Sequence, residues 1–150
     1  VNSRRAFLKG AELLSRRAHG KAELTRKLMQ KYPRECAEQA ADKLEKLGLI
    51  NDEDFADMLA QELYTHRKYG VSRVKQELLR RGIDRALAEE AAERLDKDDL
   101  NRIILLLQTK YRNNLGDEKG VIRTKNSLLR LGYSYSDIRA AFESIENESF

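Results

Sequence analysis

The sequence predicts an all-α protein made of three tandem three-helix repeats of about 50 residues. Three observations support this fold class. Gly20, Gly70 and Gly120 lie 50 residues apart, and the segments that follow them align without gaps. Farther along each repeat, apolar residues recur at i, i+3, i+4 and i+7, which is the spacing of one helical face. One proline and eight glycines provide few turn-forming positions, which disfavours many-stranded folds.

The aligned segments predict the second helix of each repeat, at 21–31, 71–81 and 118–131. Leu28, Leu78 and Leu128 coincide in this alignment. The later two copies continue to a glycine followed by an apolar residue, whereas the first copy has Tyr32-Pro33 at that place.

The remaining helices follow from apolar stripes. Third helices are predicted at 34–47, 84–95 and 135–146, and the first of them carries Ala37, Ala40, Ala41 and Leu44 on one face. First helices are predicted at 4–17, 52–68 and 99–113. Ile103–Leu107 is apolar on every side of its helix, which favours a buried helix over an exposed partner groove.

Capping residues agree with these boundaries. Pro33 fits the first turn of a helix, and N-caps are predicted at Asp84, Ser134 and either Asn51 or Asp52. Glycines followed by an apolar residue predict left-handed helix endings at Gly48, Gly82 and Gly132.

One three-helix repeat buries too little apolar surface to be stable alone. We therefore expect repeats at 1–50, 51–98 and 99–150 to stack into one continuous unit, an elongated and curved solenoid.

Composition excludes several classes of protein. Cys36 is the single cysteine, so no disulfide joins two positions of this chain, and two histidines leave a structural zinc site improbable. The longest apolar run has five residues, which is far short of a membrane span of about 20. We expect a cytoplasmic protein without a cofactor, a metal or a membrane association.

Catalytic constellations are also missing from the sequence, so we expect no enzyme. His19 and His66 lie in corresponding basic stretches of different repeats, where surface contacts are the better interpretation. Cys36 begins a helical stripe and is expected to be buried or half-buried. The acidic residues Asp96, Asp98 and Asp99 lie between two helices, where capping and solvation explain them better than a metal site does.

Basic residues recur on the second helix of every repeat and are the candidate binding residues. The formal charge is +6 over residues 1–50, −4 over 51–100 and +2 over 101–150, so no large region is uniformly basic. Such side chains can neutralise phosphates or pair with an acidic protein surface. The candidate partner-binding residues are Arg67, Lys68, Tyr69, Arg73, Lys75, Arg80 and Arg81 in the middle repeat, Lys21, Arg26 and Lys27 in the first, and Arg123, Lys125 and Arg130 in the third.

These motifs resemble the RecX family of bacterial RecA regulators. The middle repeat carries the strongest match, in Arg67-Lys68-Tyr69-Gly70, Glu77-Leu78 and Arg81-Gly82-Ile83. The first repeat offers Ala22-Glu23-Leu24 and Leu49-Ile50-Asn51-Asp52, and the third offers Leu128-Leu129-Arg130 and Gly132-Tyr133. The ordered set spans nearly the whole chain.

The resemblance implies a monomeric, non-enzymatic modulator of RecA that acts in DNA repair, recombination and the SOS response. Its partner would be the RecA filament, with DNA contact possible within the filament. Family members are similar to a curved rod that lies in the filament groove. There they limit ATP hydrolysis, strand exchange and filament extension. The resemblance leaves open whether the protein caps filament ends or coats the groove. A helix-turn-helix-like protein that binds DNA directly is the alternative, and a scaffold for an unrelated acidic partner is a third.

Overall fold

A computed structural model describes residues 1–148 of the chain. Within them the chain forms nine α-helices and one short 3-10 helix, and no strand. The helices are α1 (Asn2–Arg16), α2 (Lys21–Met29), α3 (Arg34–Lys46), α4 (Asp52–Thr65), α5 (Val71–Arg80), α6 (Arg85–Glu93), α7 (Asp99–Gln108), α8 (Glu118–Arg130) and α9 (Tyr135–Glu148), with the 3-10 helix η1 (Arg112–Asn114) before α8.

The predicted all-α class and the three-helix repeats are confirmed, and each predicted helix is present. Seven of them are shorter than predicted, most of all α4, α6 and α7. Helix α4 ends at Thr65, and α7 ends at Gln108 and is followed by η1. The last two positions of the predicted repeat 99–150 lie outside the described residues.

The chain forms two compact units. The first unit comprises Val1–Ala60 and Glu77–Arg94, and the second comprises Gln61–Gln76 and the chain from Leu95 onward. Both units therefore draw residues from the middle repeat, whose helices α4 and α5 contribute to each.

Each unit has its own apolar core, formed by the predicted stripes. In the first unit, α1 and α2 pack on α3, and the buried cluster contains Ala6, Leu24, Leu28, Ala37, Ala40, Ala41, Leu44 and Ile50. In the second unit, α7 and α8 pack on α9 around Ile103, Leu107, Tyr111, Leu128, Tyr133, Ile138 and Ala141. Burial of apolar surface holds these short helices in place, since isolated helices of 9 to 15 residues are marginal in water.

Helix α7 is buried on one side only, so the predicted burial of the whole Ile103–Leu107 run is wrong. Ile103 and Leu107 are 0% and 1% exposed, whereas Leu105 is 60% exposed. Residues i and i+4 share a helical face, and a residue two positions on points to the opposite side because each residue turns the helix by about 100°.

The helix endings confirm most of the predicted capping residues. Asp84 accepts a hydrogen bond from the amide of Ala86, and Ser134 Oγ accepts one from Asp137. Asn51 rather than Asp52 caps α4, through the amide of Asp54 at 3.1 Å. Pro33 lies one position earlier than predicted, at the N-cap of α3.

Three helix ends adopt the predicted left-handed glycine conformation. Gly48, Gly82 and Gly132 have φ values of +80°, +86° and +97°. After each glycine, the next amide donates to the carbonyl five residues earlier, at distances of 3.0, 3.1 and 3.2 Å, which is the Schellman arrangement.

The repeated glycines before α2 and α5 mark the places where successive repeats join. In the first unit, a Cβ on Gly20 would lie 3.3 Å from Phe55 and 3.4 Å from Ile83. In the second unit, a Cβ on Gly70 would lie 2.5 Å from the carbonyl oxygen of Gly132. Glycine allows the two backbones to approach this closely.

Carboxylates from the following helix cap α2 and α5 at the same joints. Asp52, the first residue of α4, accepts a hydrogen bond from the amide of Lys21 at 2.8 Å. Asp99, the first residue of α7, accepts one from the amide of Val71 at 3.3 Å. Each carboxylate therefore accepts a hydrogen bond from an amide at a helix N-terminus, where the amides have no partner within their own helix.

Candidate partner-binding surface

The second helices of the three repeats present their side chains in nearly the same register. Leu24 and Leu28 are buried in α2, Val74 and Leu78 in α5, and Thr124 and Leu128 in α8, each 50 residues apart. Because these positions face the core, the cations of the same helices are directed to the half-buried and exposed sides.

The basic segment before α5 is anchored through its backbone. Lys68 has a positive φ of 61°, and its carbonyl oxygen accepts a hydrogen bond from the Tyr133 hydroxyl at 2.6 Å. The amide of Gly70 donates to the carbonyl of Leu131 at 2.8 Å. The side chains of Arg67 and Lys68 remain exposed, so two cations stand on a fixed backbone.

Arg73 is bound within the second unit. Its guanidinium donates to the carbonyl oxygen of Arg130 at 2.6 Å and lies over the Tyr69 ring, 4.3 Å from the ring centre. An arginine at a helix C-terminus satisfies a carbonyl that has no partner in the helix. Arg73 therefore joins α5 to the end of α8 and holds the half-buried Tyr69 beneath it.

Two candidate lysines of the first repeat are also engaged. Lys21 Nζ lies 2.7 Å from Asp42 and 2.9 Å from Glu45, and these hydrogen bonds raise the pKa of Lys21. Lys27 Nζ lies 2.9 Å from Nε2 of His19. Both lysines are half-buried, so their side chains pack against the surface of the protein and do not extend into solvent.

The prediction that His19 makes surface contacts is wrong, because the residue is only 3% exposed. An ammonium group can only donate, so Nε2 accepts from Lys27 and the ring proton is on Nδ1, which donates to the carbonyl of Arg17 at 3.0 Å. Burial lowers the pKa of His19 and favours this neutral ring. His66, in contrast, is exposed as predicted.

The other candidate residues divide by exposure. Arg80 is largely exposed and lies 3.4 Å from Glu77. Lys125 lies over the Phe142 ring, 4.9 Å from its centre. Exposed candidates are Arg26, Arg67, Lys68, Arg80, Arg123 and Arg130, and half-buried candidates are Lys21, Lys27, Tyr69, Arg73, Lys75, Arg81 and Lys125.

The structure places these residues in both units. Lys21, Arg26, Lys27, Arg80 and Arg81 belong to the first unit, and the other eight belong to the second. Within the second unit, Arg73 contacts both Tyr69 and the backbone of Arg130, which brings three of the predicted residues together.

An open groove lies at each joint, and the two grooves are related by the repeat. The groove of the first unit has a volume of about 560 Å³ and includes Lys21, Ala22, Arg26, Asp52 and Gly82 in its lining. The groove of the second unit has about 690 Å³ and includes Val71, Ser72, Gln76, Asp99 and Gly132. Four of these pairs are 50 residues apart, so the same backbone arrangement forms both.

Sequence reasoning suggested capping for both carboxylates but did not identify that each caps a helix of the preceding repeat. Asp99 accepts hydrogen bonds from the Tyr64 hydroxyl at 2.7 Å and from the amide of Val71. The signal that could have found both residues is an aspartate at the first position of the helix that opens the next repeat.

Residues 1–148 contain no group of three or more His, Cys, Asp or Glu side chains placed to hold a metal ion. Cys36 is half-buried, as predicted. None of the described helices is both long and apolar enough to cross a membrane.

Two family descriptions match this chain. "RecX, first three-helix domain" matches residues 6–44, and "RecX, second three-helix domain" matches residues 51–91. The regulatory protein RecX of Trichlorobacter lovleyi is 34% identical over 146 residues, which cover 91% of this chain and 93% of that protein.

Two further relatives show the extent of the match. The regulatory protein RecX of Pseudomonas entomophila is 34% identical over 101 residues, which cover 67% of this chain and 64% of that protein, so the match spans less than two thirds of its length. The crystal structure of RecX from Lactobacillus salivarius aligns with a TM-score of 0.82 over 97% of both chains, at 23% identity. That structural likeness shows a shared fold.

Proposed function

Since the chain belongs to the RecX family of regulatory proteins, we propose that it regulates RecA by binding in the groove of the RecA–DNA filament and limiting ATP hydrolysis, strand exchange and filament extension. It does so as a cytoplasmic monomer and without catalysis of its own. Contact with DNA is part of the proposal only within the filament.

One observation carries this proposal: the second helix of every repeat presents cations to solvent. Arg26 in α2, Arg80 in α5 and both Arg123 and Arg130 in α8 are exposed. A filament repeats the same surface along its length, so similar contacts made by repeats 1–50, 51–98 and 99–150 would reinforce one another through effective concentration.

The contacts of the candidate residues suggest two roles. Arg67 and Lys68 have exposed side chains on an anchored backbone, so they lose little backbone freedom on binding. Arg73 is held by the carbonyl of Arg130, and we assign it to positioning the Tyr69 segment. We expect the exposed pair to contribute most to partner binding in the middle repeat.

The test is DNA-dependent ATP hydrolysis by RecA on single-stranded DNA with this protein titrated in. We expect hydrolysis to fall at near-stoichiometric protein. The double variant Arg67→Glu/Lys68→Glu should require roughly tenfold more protein for the same inhibition, because each reversal replaces an attraction by a repulsion.

The matched control is Lys46→Glu/Arg85→Glu, which reverses two exposed cations outside the candidate set. It lowers the net charge by the same amount and should inhibit as the parent does. If both double variants weaken inhibition equally, net charge and not the Arg67–Lys68 pair is responsible.

Direct DNA binding is distinguished in a parallel titration with bare single-stranded and double-stranded DNA. Affinity that depends steeply on salt and needs no RecA, together with unchanged hydrolysis, would replace the proposal by a DNA-binding function.

A further inference from the structure

A small apolar cleft lies between α8 and α9 in the second unit. It has a volume of about 40 Å³ and is lined by Lys125, Leu129, Tyr135, Ile138 and Arg139. Ile138 is only 3% exposed and forms its buried side, whereas Leu129 is 40% exposed and Tyr135 is 63% exposed. Two large apolar side chains therefore remain in solvent beside an opening that neither of them fills.

Both charged residues of the cleft are cations that lie near aromatic rings. The guanidinium of Arg139 lies 5.2 Å from the centre of the Tyr135 ring, and Lys125 Nζ lies 4.9 Å from the centre of the Phe142 ring. No carboxylate lines the cleft, and within residues 1–148 no ion pair joins Lys125 or Arg139 to a carboxylate. The positive charge at this opening is therefore not neutralised by an ion pair within the described chain.

Size and polarity together select the kind of partner. A space of this volume accepts the end of an aliphatic side chain, and a nucleobase is too large to enter it. Phosphate contacts would use the two cations but would leave the exposed side chain of Leu129 without a partner. Aliphatic contact flanked by two cations fits a protein segment in which carboxylates flank a leucine, isoleucine or methionine.

We propose that this cleft binds an acidic protein segment, which inserts one aliphatic side chain between Leu129 and Tyr135 and places carboxylates beside Lys125 and Arg139. The segment belongs to the surface of the RecA filament, and in that respect the inference rests on the proposed function. Tyr135 and Arg139 are thereby added to the binding residues expected from the sequence.

Photocrosslinking at the cleft tests the partner. Tyr135→p-benzoylphenylalanine places a crosslinker at the exposed rim, and Leu105→p-benzoylphenylalanine places one on the exposed side of α7 as the control. Each full-length variant is irradiated with RecA filaments formed on single-stranded oligo-dT. We expect a covalent adduct with RecA from position 135 and none from position 105.

Filament co-sedimentation of a double variant tests the energetics. Tyr135→Ser/Arg139→Glu should bind filaments about tenfold more weakly than the parent and should bind bare oligo-dT as the parent does. The control Leu105→Ser/Arg112→Glu, which changes an equally exposed pair in the same unit, should leave both affinities unchanged. Circular dichroism confirms equal helix content.

The outcomes distinguish failure of the cleft assignment from failure of the proposed regulation of RecA. An adduct with oligo-dT from position 135, or parallel loss of bare-DNA binding by the double variant, would make the cleft a nucleic-acid site and overturn the inference. Undiminished filament binding by that variant would also overturn it while leaving regulation of RecA intact. If the parent protein itself neither binds filaments nor alters hydrolysis, the proposed function fails and, with it, the assignment of the segment to RecA.

Discussion

Gly70 lies where α5 meets the glycine turn that ends α8, and replacement by alanine should destabilise the second unit strongly. The added Cβ would lie 2.5 Å from the carbonyl oxygen of Gly132, 2.6 Å from its carbonyl carbon and 2.7 Å from the amide nitrogen of Tyr133. All three are backbone atoms, so no side-chain rotation relieves the contact. The amide of Gly70 also donates to Leu131 across the same joint.

The expected cost can be worked from these contacts. Overpacking a close-packed site costs about 1–3 kcal/mol, and here backbone and not a side chain must move. Gly70 precedes the first residue of α5, and alanine before a helix is worse than glycine by about 0.5–1 kcal/mol. Together they lower the free energy of unfolding by about 1.5–4 kcal/mol, which corresponds to a decrease in Tm of roughly 3–16 °C for a chain of this length.

Thermal unfolding followed by circular dichroism, with two alanine controls, measures the effect. Gly20→Ala has the same position before α2 but meets only side chains, at 3.3 and 3.4 Å, so it should lose less than half as much. Gly116→Ala meets nothing within 4 Å and should melt within about 2 °C of the parent. A Gly70→Ala protein that melts with the parent, or above Gly20→Ala, would refute the reasoning.

Three further predictions concern single residues. The pKa of His19 is lowered in the folded protein, so the unfolded chain takes up more protons as the pH falls through about 6.5. The free energy of unfolding should therefore decline from about pH 7.5 to 5.5. Denaturant titrations of His19→Gln should show a smaller decline over the same range. Gly48 has a positive φ and nothing within 4 Å of an added Cβ, so Gly48→Ala should cost about 1 kcal/mol from backbone strain alone and Gly48→Asn less; equal melting of all three proteins would contradict this. Tyr133→Phe removes the hydrogen bond to the Lys68 carbonyl and should lower the free energy of unfolding by about 1 kcal/mol. Absorbance titration of the parent should show one tyrosine whose pKa is raised by burial to about 12. This titration should be missing from the variant.

Features of this fold that depend on neighbouring residues were predicted more completely than features that depend on distant ones. The helical faces and the glycine helix endings were predicted, since each depends on residues within a few positions of one another. The repeat period was predicted because the same local pattern returns every 50 residues. The exposure of Leu105 was not predicted. In a helix that is apolar all round, the buried side is set by the neighbouring helix that packs against it. The same reason applies to His19, whose basic sequence neighbours indicate exposure although the folded chain buries it.

The candidate surface shows the same division. The sequence alone identified that every second helix carries cations, and that Arg73, Lys75 and Arg80 have basic counterparts 50 residues later in α8. Only the tertiary structure decided which of them remain exposed. Arg73 is engaged by a carbonyl 57 residues away, and α2 is capped by a carboxylate 31 residues away.

Residues on one face of a helix recur every three to four positions. A buried face therefore produces a periodic pattern of apolar residues in the sequence. Contacts at the joints between repeats join residues whose separation depends on the path of the whole chain. The sequence by itself therefore determined the helices and their repetition. The meeting of Gly70 with Gly132 and the cleft beside Tyr135 were decided only when the helices packed.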